Sequence, residues 1–189
     1  MQTETLEGGF ADAPVAAARA FRAAMQAMAR PGRILELTGA QPPAPLSPAA
    51  GALLLTLCDA DTPLHLAGVH DCDAVRDWIT FHTGAPLGDA GQAAFATGGW
   101  EALQPLDAYP EGRADYPDRA ATLIVELARL APEGARLTGP GIAAEAALSL
   151  PDIAPFQRNA ARFPLGLDFY FTCGDRLAAL PRSTSVEAG

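Results

Sequence analysis

The clearest pattern in the chain lies near its end. Leu167 to Cys173 is a largely apolar and aromatic run of strand length. Gly174-Asp175 follows as a two-residue turn, because glycine reaches positive φ without steric cost and aspartate tolerates it. Arg176 to Leu180 returns as the partner strand, and Pro181 stops the ladder because it has no N–H to donate. Residues 163–182 therefore predict a β-hairpin, with Pro164 and Gly166 leading into it. Phe169 and Phe171 share one face, and Tyr170 and Thr172 the other. A strand this apolar asks for cover on both sides, which predicts helices above and below the sheet.

The same alternation places other elements. Ala121 to Leu127 reads as a second buried strand. Shorter ones are expected at Arg33–Thr38, Leu64–Ala67 with Val69-His70 as an extension, Gln92–Thr97 and Arg136–Thr138. A helix begins after Asp12, read as its N-cap, with Pro14 in the first turn, and runs to about Arg30. Phe21, Met25 and Met28 recur at i, i+4 and i+7 as its inner face. Arg19, Arg22, Gln26 and Arg30 gather on the opposite side. Ser47-Pro48 is a helix start, and Ala49–Cys58 is apolar nearly all round. Asp71 caps a third helix to His82, with Val75, Trp78, Ile79 and His82 on its apolar stripe and Thr83-Gly84 at its end. A fourth begins at Ser149 or Asp152 and reaches about Arg162, with Ile153, Phe156 and Ala160 inward. Gly98-Gly99 reads as a break. Leu103–Asp118 reads as a long turn-rich loop, and such loops often carry function.

Alternating strands and helices predict an α/β fold, a three-layer αβα arrangement around a mixed sheet. The length suits one domain over residues 1–189, with 1–9 and 184–189 as loose tails.

Composition narrows the chemistry. A net charge of −9 argues against a nucleic-acid binder. No apolar run approaches a membrane span, and MQTETLEGG has no features of a secretory signal. Cys58, Cys72 and Cys173, odd in number and widely spaced, suit free thiols in a reducing cytoplasm. All 13 basic residues are arginine. Without lysine the chain forms no internal aldimine with pyridoxal phosphate and has no Walker-type phosphate loop.

The remaining constellations are weak. His65, His70, Cys72 and His82 lack the spacing of a zinc finger or ribbon, so no metal site is expected. The four serines, Ser47, Ser149, Ser183 and Ser185, include no nucleophile elbow. Thr138-Gly139-Pro140-Gly141 offers backbone N–H groups to an anion, or is simply a tight turn. The arginine face of the first helix is an anion site, a solvated surface or a set of partners for the chain's own acids. Solvation is the plainer reading.

Six segments occur in a familiar order. They are Gly9-Phe10, Phe21–Arg33 (FRAAMQAMARPGR), Cys58–Pro63 (CDADTP), Phe81–Pro86 (FHTGAP), Leu137–Ile142 (LTGPGI) and Phe163–Val186. Together they resemble the PhnH family of the bacterial carbon–phosphorus lyase pathway. The chain departs from the family pattern at Ala18, where a glutamine is usual, and at Cys58, where an apolar residue is. The resemblance implies a subunit of a core complex with PhnG, PhnI and PhnJ partners. That complex displaces adenine from ATP with a phosphonate, and a separate radical iron–sulfur subunit later cleaves the C–P bond. It also implies a homodimer whose fold resembles pyridoxal-phosphate-dependent transferases without the cofactor. No catalytic residue carries over. If the chain touches ligand itself, the expected anion contacts are Arg22, Arg30 and Arg33, with Gly139 and Gly141 as backbone donors and His82 as a polar partner. The alternative is a free-standing enzyme or a sensor for a small phosphorylated ligand.

Overall fold

The structure, a computed structural model, describes residues 7–189. In chain order its elements are α1 (Ala13–Ala29), β1 (Leu35–Glu36), α2 (Pro48–Leu57), β2 (Leu64–Leu66), α3 (Asp73–Thr83) and β3 (Phe95–Gly99). Then come β4 (Glu111–Arg113), β5 (Tyr116–Ala120), β6 (Thr122–Glu126), β7 (Ala135–Thr138) and β8 (Ala146–Leu148). The chain closes with α4 (Ala154–Ala160), β9 (Asp168–Cys173), β10 (Arg176–Leu180) and β11 (Ser185–Glu187).

A mixed six-stranded sheet, in the order β1-β10-β9-β6-β3-β2, is the centre of the molecule. Strands β2, β3, β6 and β9 run parallel, and β10 and β1 add antiparallel to them. The hairpin read from the sequence is present, with Arg176 opposite Cys173 and Gly174 at φ 62° in the turn. Its two faces feed two cores. Tyr170 joins Ala20, Leu53 and Trp78 of α1, α2 and α3 in one. Phe169 and Phe171 join Trp100, Leu137 and Phe156 in the other.

The second layer differs from the expectation. Helices α1, α2 and α3 cover one face, but the opposite face is covered by α4, short turns and a three-stranded sheet, β11-β7-β8. Residues 128–155 are punctuated by Pro132, Gly134, Gly139-Pro140-Gly141 and Pro151, so no long helix forms there.

Parts of both expected tails are held to the rest of the chain. Residues 1–6 lie outside the described residues. Glu7, however, accepts a hydrogen bond from Trp78 Nε1 at 2.9 Å, and the Gly8 carbonyl accepts one from the Gln41 amide at 2.8 Å. At the other end β11 pairs with β7, and Thr184 and Val186 are buried. Ser185-Val186-Glu187 has a single apolar residue, too little for a strand to be read without its partner.

Helix α1 is rotated from its expected setting. Ala20, Ala24 and Ala27 are buried, whereas Phe21 and Met25 face solvent. Alanines let the helix lie close to α2 and β10, which a seam of Phe and Met would hold apart. Asp12 precedes it without a side-chain capping bond. Ser47, by contrast, caps α2 as read, its Oγ accepting from the Ala50 amide at 3.2 Å. Helix α3 starts after Cys72, and Asp71 pairs with Arg76 instead of capping. Val69-His70 lies in a turn of 3-10 helix, not in an extended β2. Gly98-Gly99 belongs to β3, where a Cβ on Gly98 would collide with Ala67 as the chain leaves β2. The loop expected at Leu103–Asp118 contains β4 and the first part of its partner β5, which runs on to Ala120.

Candidate functional site

The structure divides the six candidate anion contacts. Helix α1 ends at Ala29, and the Gly139–Gly141 turn closes directly on that end. Gly139 and Gly141 have φ of 133° and 84°, and a Cβ on Gly141 would fall on the carbonyl oxygen of Ala29. Pro31 and Gly32 are buried, with Gly32 against Leu137 and Ala146 of the side sheet. Arg30 and Arg33 flank this junction and are exposed. Arg22 lies about 12 Å away, two helical turns back along α1, and is also exposed.

His82 stands apart from this group. It packs with Trp78 and Phe81, at ring-centroid distances of 5.0 and 4.9 Å, and a Cβ on Gly9 would strike its ring. Gly9 precedes α1, so His82 sits beyond the opposite end of a helix about 25 Å long. Its placement is that of a half-buried aromatic packing partner. His65 is elsewhere again, its Nδ1 within 3.0 Å of the Gly88 carbonyl oxygen. Among the described residues no group of three His, Cys, Asp or Glu side chains is placed to hold a metal.

A second polar cluster was not foreseen from the sequence. It lies where the parallel strands end, the edge at which open α/β sheets place ligands. Glu126, the last residue of β6, accepts the Ser47 amide of the α2 N-terminus at 2.6 Å and the Thr172 hydroxyl at 2.9 Å. The carboxylate therefore satisfies an orphan N–H and sits at the positive end of a helix. Thr97 of β3, on the same face, is fully buried, and its hydroxyl has no partner among the described residues. His70, in the turn after β2, is 5% exposed, and neither ring nitrogen is hydrogen-bonded among the described residues. The one sequence signal for this cluster was an acid closing the apolar run ATLIVEL, beyond the reach of local rules because Ser47 and Thr172 are far away in the chain.

Burial pushes the His70 pKa below its ordinary value, partly offset by the nearby Glu126 charge. The unfolded chain then takes up a proton near pH 6.5 that the folded chain refuses. Stability is accordingly expected to fall as pH drops below about 6.5. Urea midpoints at pH 7.5 and 5.5 check this: the decline should be smaller in His70→Gln, and an equal decline in both proteins would assign it to other groups.

Among the described residues, no nucleophile, base and acid are hydrogen-bonded together beside these groups. Residues 8–187 match the family model described as bacterial phosphonate metabolism protein (PhnH). The chain is 39% identical over 199 residues to alpha-D-ribose 1-methylphosphonate 5-triphosphate synthase subunit PhnH of Rhizobium meliloti (strain 1021), covering 98% of both chains. It is 32% identical over 205 residues to the putative C-P lyase subunit protein HtxG of Stutzerimonas stutzeri, covering 95% of both. The match takes in both α1 with its arginines and the closing hairpin, so the chain belongs to the PhnH family of bacterial phosphonate metabolism proteins.

Proposed function

We propose that this chain is a subunit of a ribose 1-methylphosphonate 5-triphosphate synthase, working in phosphonate breakdown without an active site of its own. The observation that carries this reading is the end-to-end match, at 98% of both chains, to a relative named as that subunit. In this reading the chain is a cytoplasmic homodimer bound to PhnG-, PhnI- and PhnJ-like subunits. Its layering resembles the pyridoxal-phosphate-dependent transferase fold without the cofactor, a reading that the parallel β2, β3, β6 and β9 support. The absence of lysine fits the lack of the cofactor, since a chain without lysine forms no internal aldimine.

Where the subunit meets a phosphate-bearing ligand, Arg30 and Arg33 with the Gly139–Gly141 turn are the contacts we favour. They are the candidates that share one junction, and guanidinium groups beside open backbone suit phosphate oxygens. Arg22 is a more distant member, and His82 acts only through packing.

The test is adenine release from ATP and methylphosphonate by the reconstituted synthase. Omitting this chain is expected to reduce release to background, and the chain alone is expected to release none. Full activity without the chain would refute the subunit reading. Release by the chain alone would establish a free-standing enzyme.

A further inference from the structure

Two exposed faces of the helix layer complement each other. Helix α1 turns Val15, Phe21 and Met25 outward, at 45%, 50% and 56% exposure, while alanines fill its buried seam. Arg22 lies in the same outward arc and is exposed. From Ala13 to Leu35 there is no acid, in a chain of net charge −9. Helix α3 presents the opposite sign. At 100° per residue, Asp73, Asp77, Thr80 and Phe81 fall in one outward arc of about 100°. All four are exposed, Phe81 at 61%. Arg76 beside them is already paired with Asp71. The end of α3 adds negative charge, because a Cβ on Gly84 would lie 3.7 Å from that of Ala60, between the exposed Asp59 and Asp61. Among the described residues, Arg22, Asp59, Asp61, Asp73 and Asp77 make no ion pair.

The two faces also point the same way. Ala20 and Ala24 of α1 and Val75, Trp78 and Ile79 of α3 enter one core on one side of the sheet, so the opposite sides of both helices look away from it. Helix α2 packs against both, and its residues 49–54 are buried. A two-fold axis laid along this layer, above α2, carries each α1 onto its partner's α3 and each α3 onto its partner's α1. Such a contact is closed, since every residue pair occurs twice and no face is left to add a third copy. An apolar strip edged by charge is the footprint of a protein interface. Here cation meets anion in both halves of the contact, and both complements are carried by this one chain.

We infer that two copies of this chain pair through these faces, the outward side of α1 seated on the acidic side of α3 in both directions. This rests on the homodimer of the proposed function and gives it a surface. Phe21, Met25 and Phe81 supply the apolar anchors, and Arg22 and Asp77 fix the register and speed the encounter.

Sedimentation of the purified chain over a concentration series measures the dimer. Phe21→Ser/Met25→Ser is expected to raise the dimer dissociation constant about tenfold or more, as for central apolar anchors. Arg22→Glu and Asp77→Arg each set like charges together twice per dimer, and each is expected to weaken pairing by about tenfold or more. An equimolar mixture of these two variants is expected to dimerise close to wild type, because both halves of the mixed pair then join opposite charges. Phe163→Ser, at an exposed residue beside the hairpin, is the control and is expected to leave dimerisation unchanged. Far-ultraviolet circular dichroism of every variant should match wild type, since the altered side chains are exposed. A wild-type chain that stays monomeric would refute the homodimer reading, and this surface with it. Pairing that stays within a factor of about two of wild type in the double serine variant and in both reversals would overturn the surface and leave the homodimer reading standing. Loss of binding to the PhnG-, PhnI- and PhnJ-like subunits by those still-dimeric variants would then assign the face to another subunit. Weakened reversals that the mixture does not restore would also overturn the surface, because α1 would not face α3.

Discussion

Phe156→Ala is expected to destabilise the chain by about 3–5 kcal/mol, the range for truncating a buried aromatic residue. Phe156 is 1% exposed and is the hub of an aromatic cluster. Its ring stacks on Trp100 at 4.9 Å and meets Phe169 and Phe171 edge-on at 5.0 and 5.7 Å. Alanine would leave a cavity that three rigid rings cannot collapse to fill, and would remove favourable ring geometry as well. The effect reaches beyond α4. Asn159, on the same helix, donates to the Leu167 carbonyl and accepts from its amide, both at 2.8 Å, and so sets where β9 begins. Urea unfolding checks this, and thermal unfolding should show a drop on the order of 10 °C for a chain of this size. Phe156→Leu, which keeps most of the volume, should cost less. A loss below about 1 kcal/mol for Phe156→Ala would mean that the site repacks and is not the rigid centre described here.

Asp168→Ala is expected to cost about 2–3 kcal/mol, because it strands a mostly buried guanidinium. Arg182 donates from Nη2 to Asp168 Oδ2 at 2.5 Å and from Nε to Oδ1 at 3.1 Å. Its own backbone amide also reaches Oδ1, at 2.8 Å. Nη1 donates to the Pro117 carbonyl at 2.7 Å. One side chain thus ties the start of β9, the segment after β10 and strand β5 together. The Arg182 and Asp168 side chains are 13% and 23% exposed, so water screens the pair little. The exposed Arg129–Glu133 pair, by contrast, contributes little. Arg182→Lys should not rescue stability, because an ammonium cannot reproduce the two parallel bonds to the carboxylate. A double-mutant cycle over Asp168→Ala and Arg182→Ala measures the coupling directly. Strictly additive losses would show that the two residues act independently.

Much of the fold was legible because it is local. The hairpin needed only an apolar run, a Gly-Asp turn and a proline to stop it. The start of α2 needed only Ser47 before Pro48, and the end of α3 needed Gly84, which adopts a left-handed φ of 68°. The candidate site was less legible. Gly139 and Gly141 share a junction with Arg30 and Arg33 only because the turn closes on the end of α1. His82 carried the right chemistry but packs at the far end of that helix, among Trp78, Phe81 and Gly9.

The sequence by itself determined the α/β class, the two central strands β6 and β9, the hairpin and the family. Each rests on spacing within one segment, or on the order of segments. Only the tertiary structure decided which side of α1 is inside, that Ser185–Glu187 is a strand, and that Glu126 joins Ser47 and Thr172. Periodicity locates an apolar stripe on a helix but not the neighbour that will cover it. The alanine seam of α1 became the inner face because it allows close approach to α2 and β10, and Phe21 and Met25 were left outside. A polar residue is likewise defined by partners 46 or 79 positions away, as Glu126 is. No local rule spans that distance, because the contact exists only once the sheet has formed.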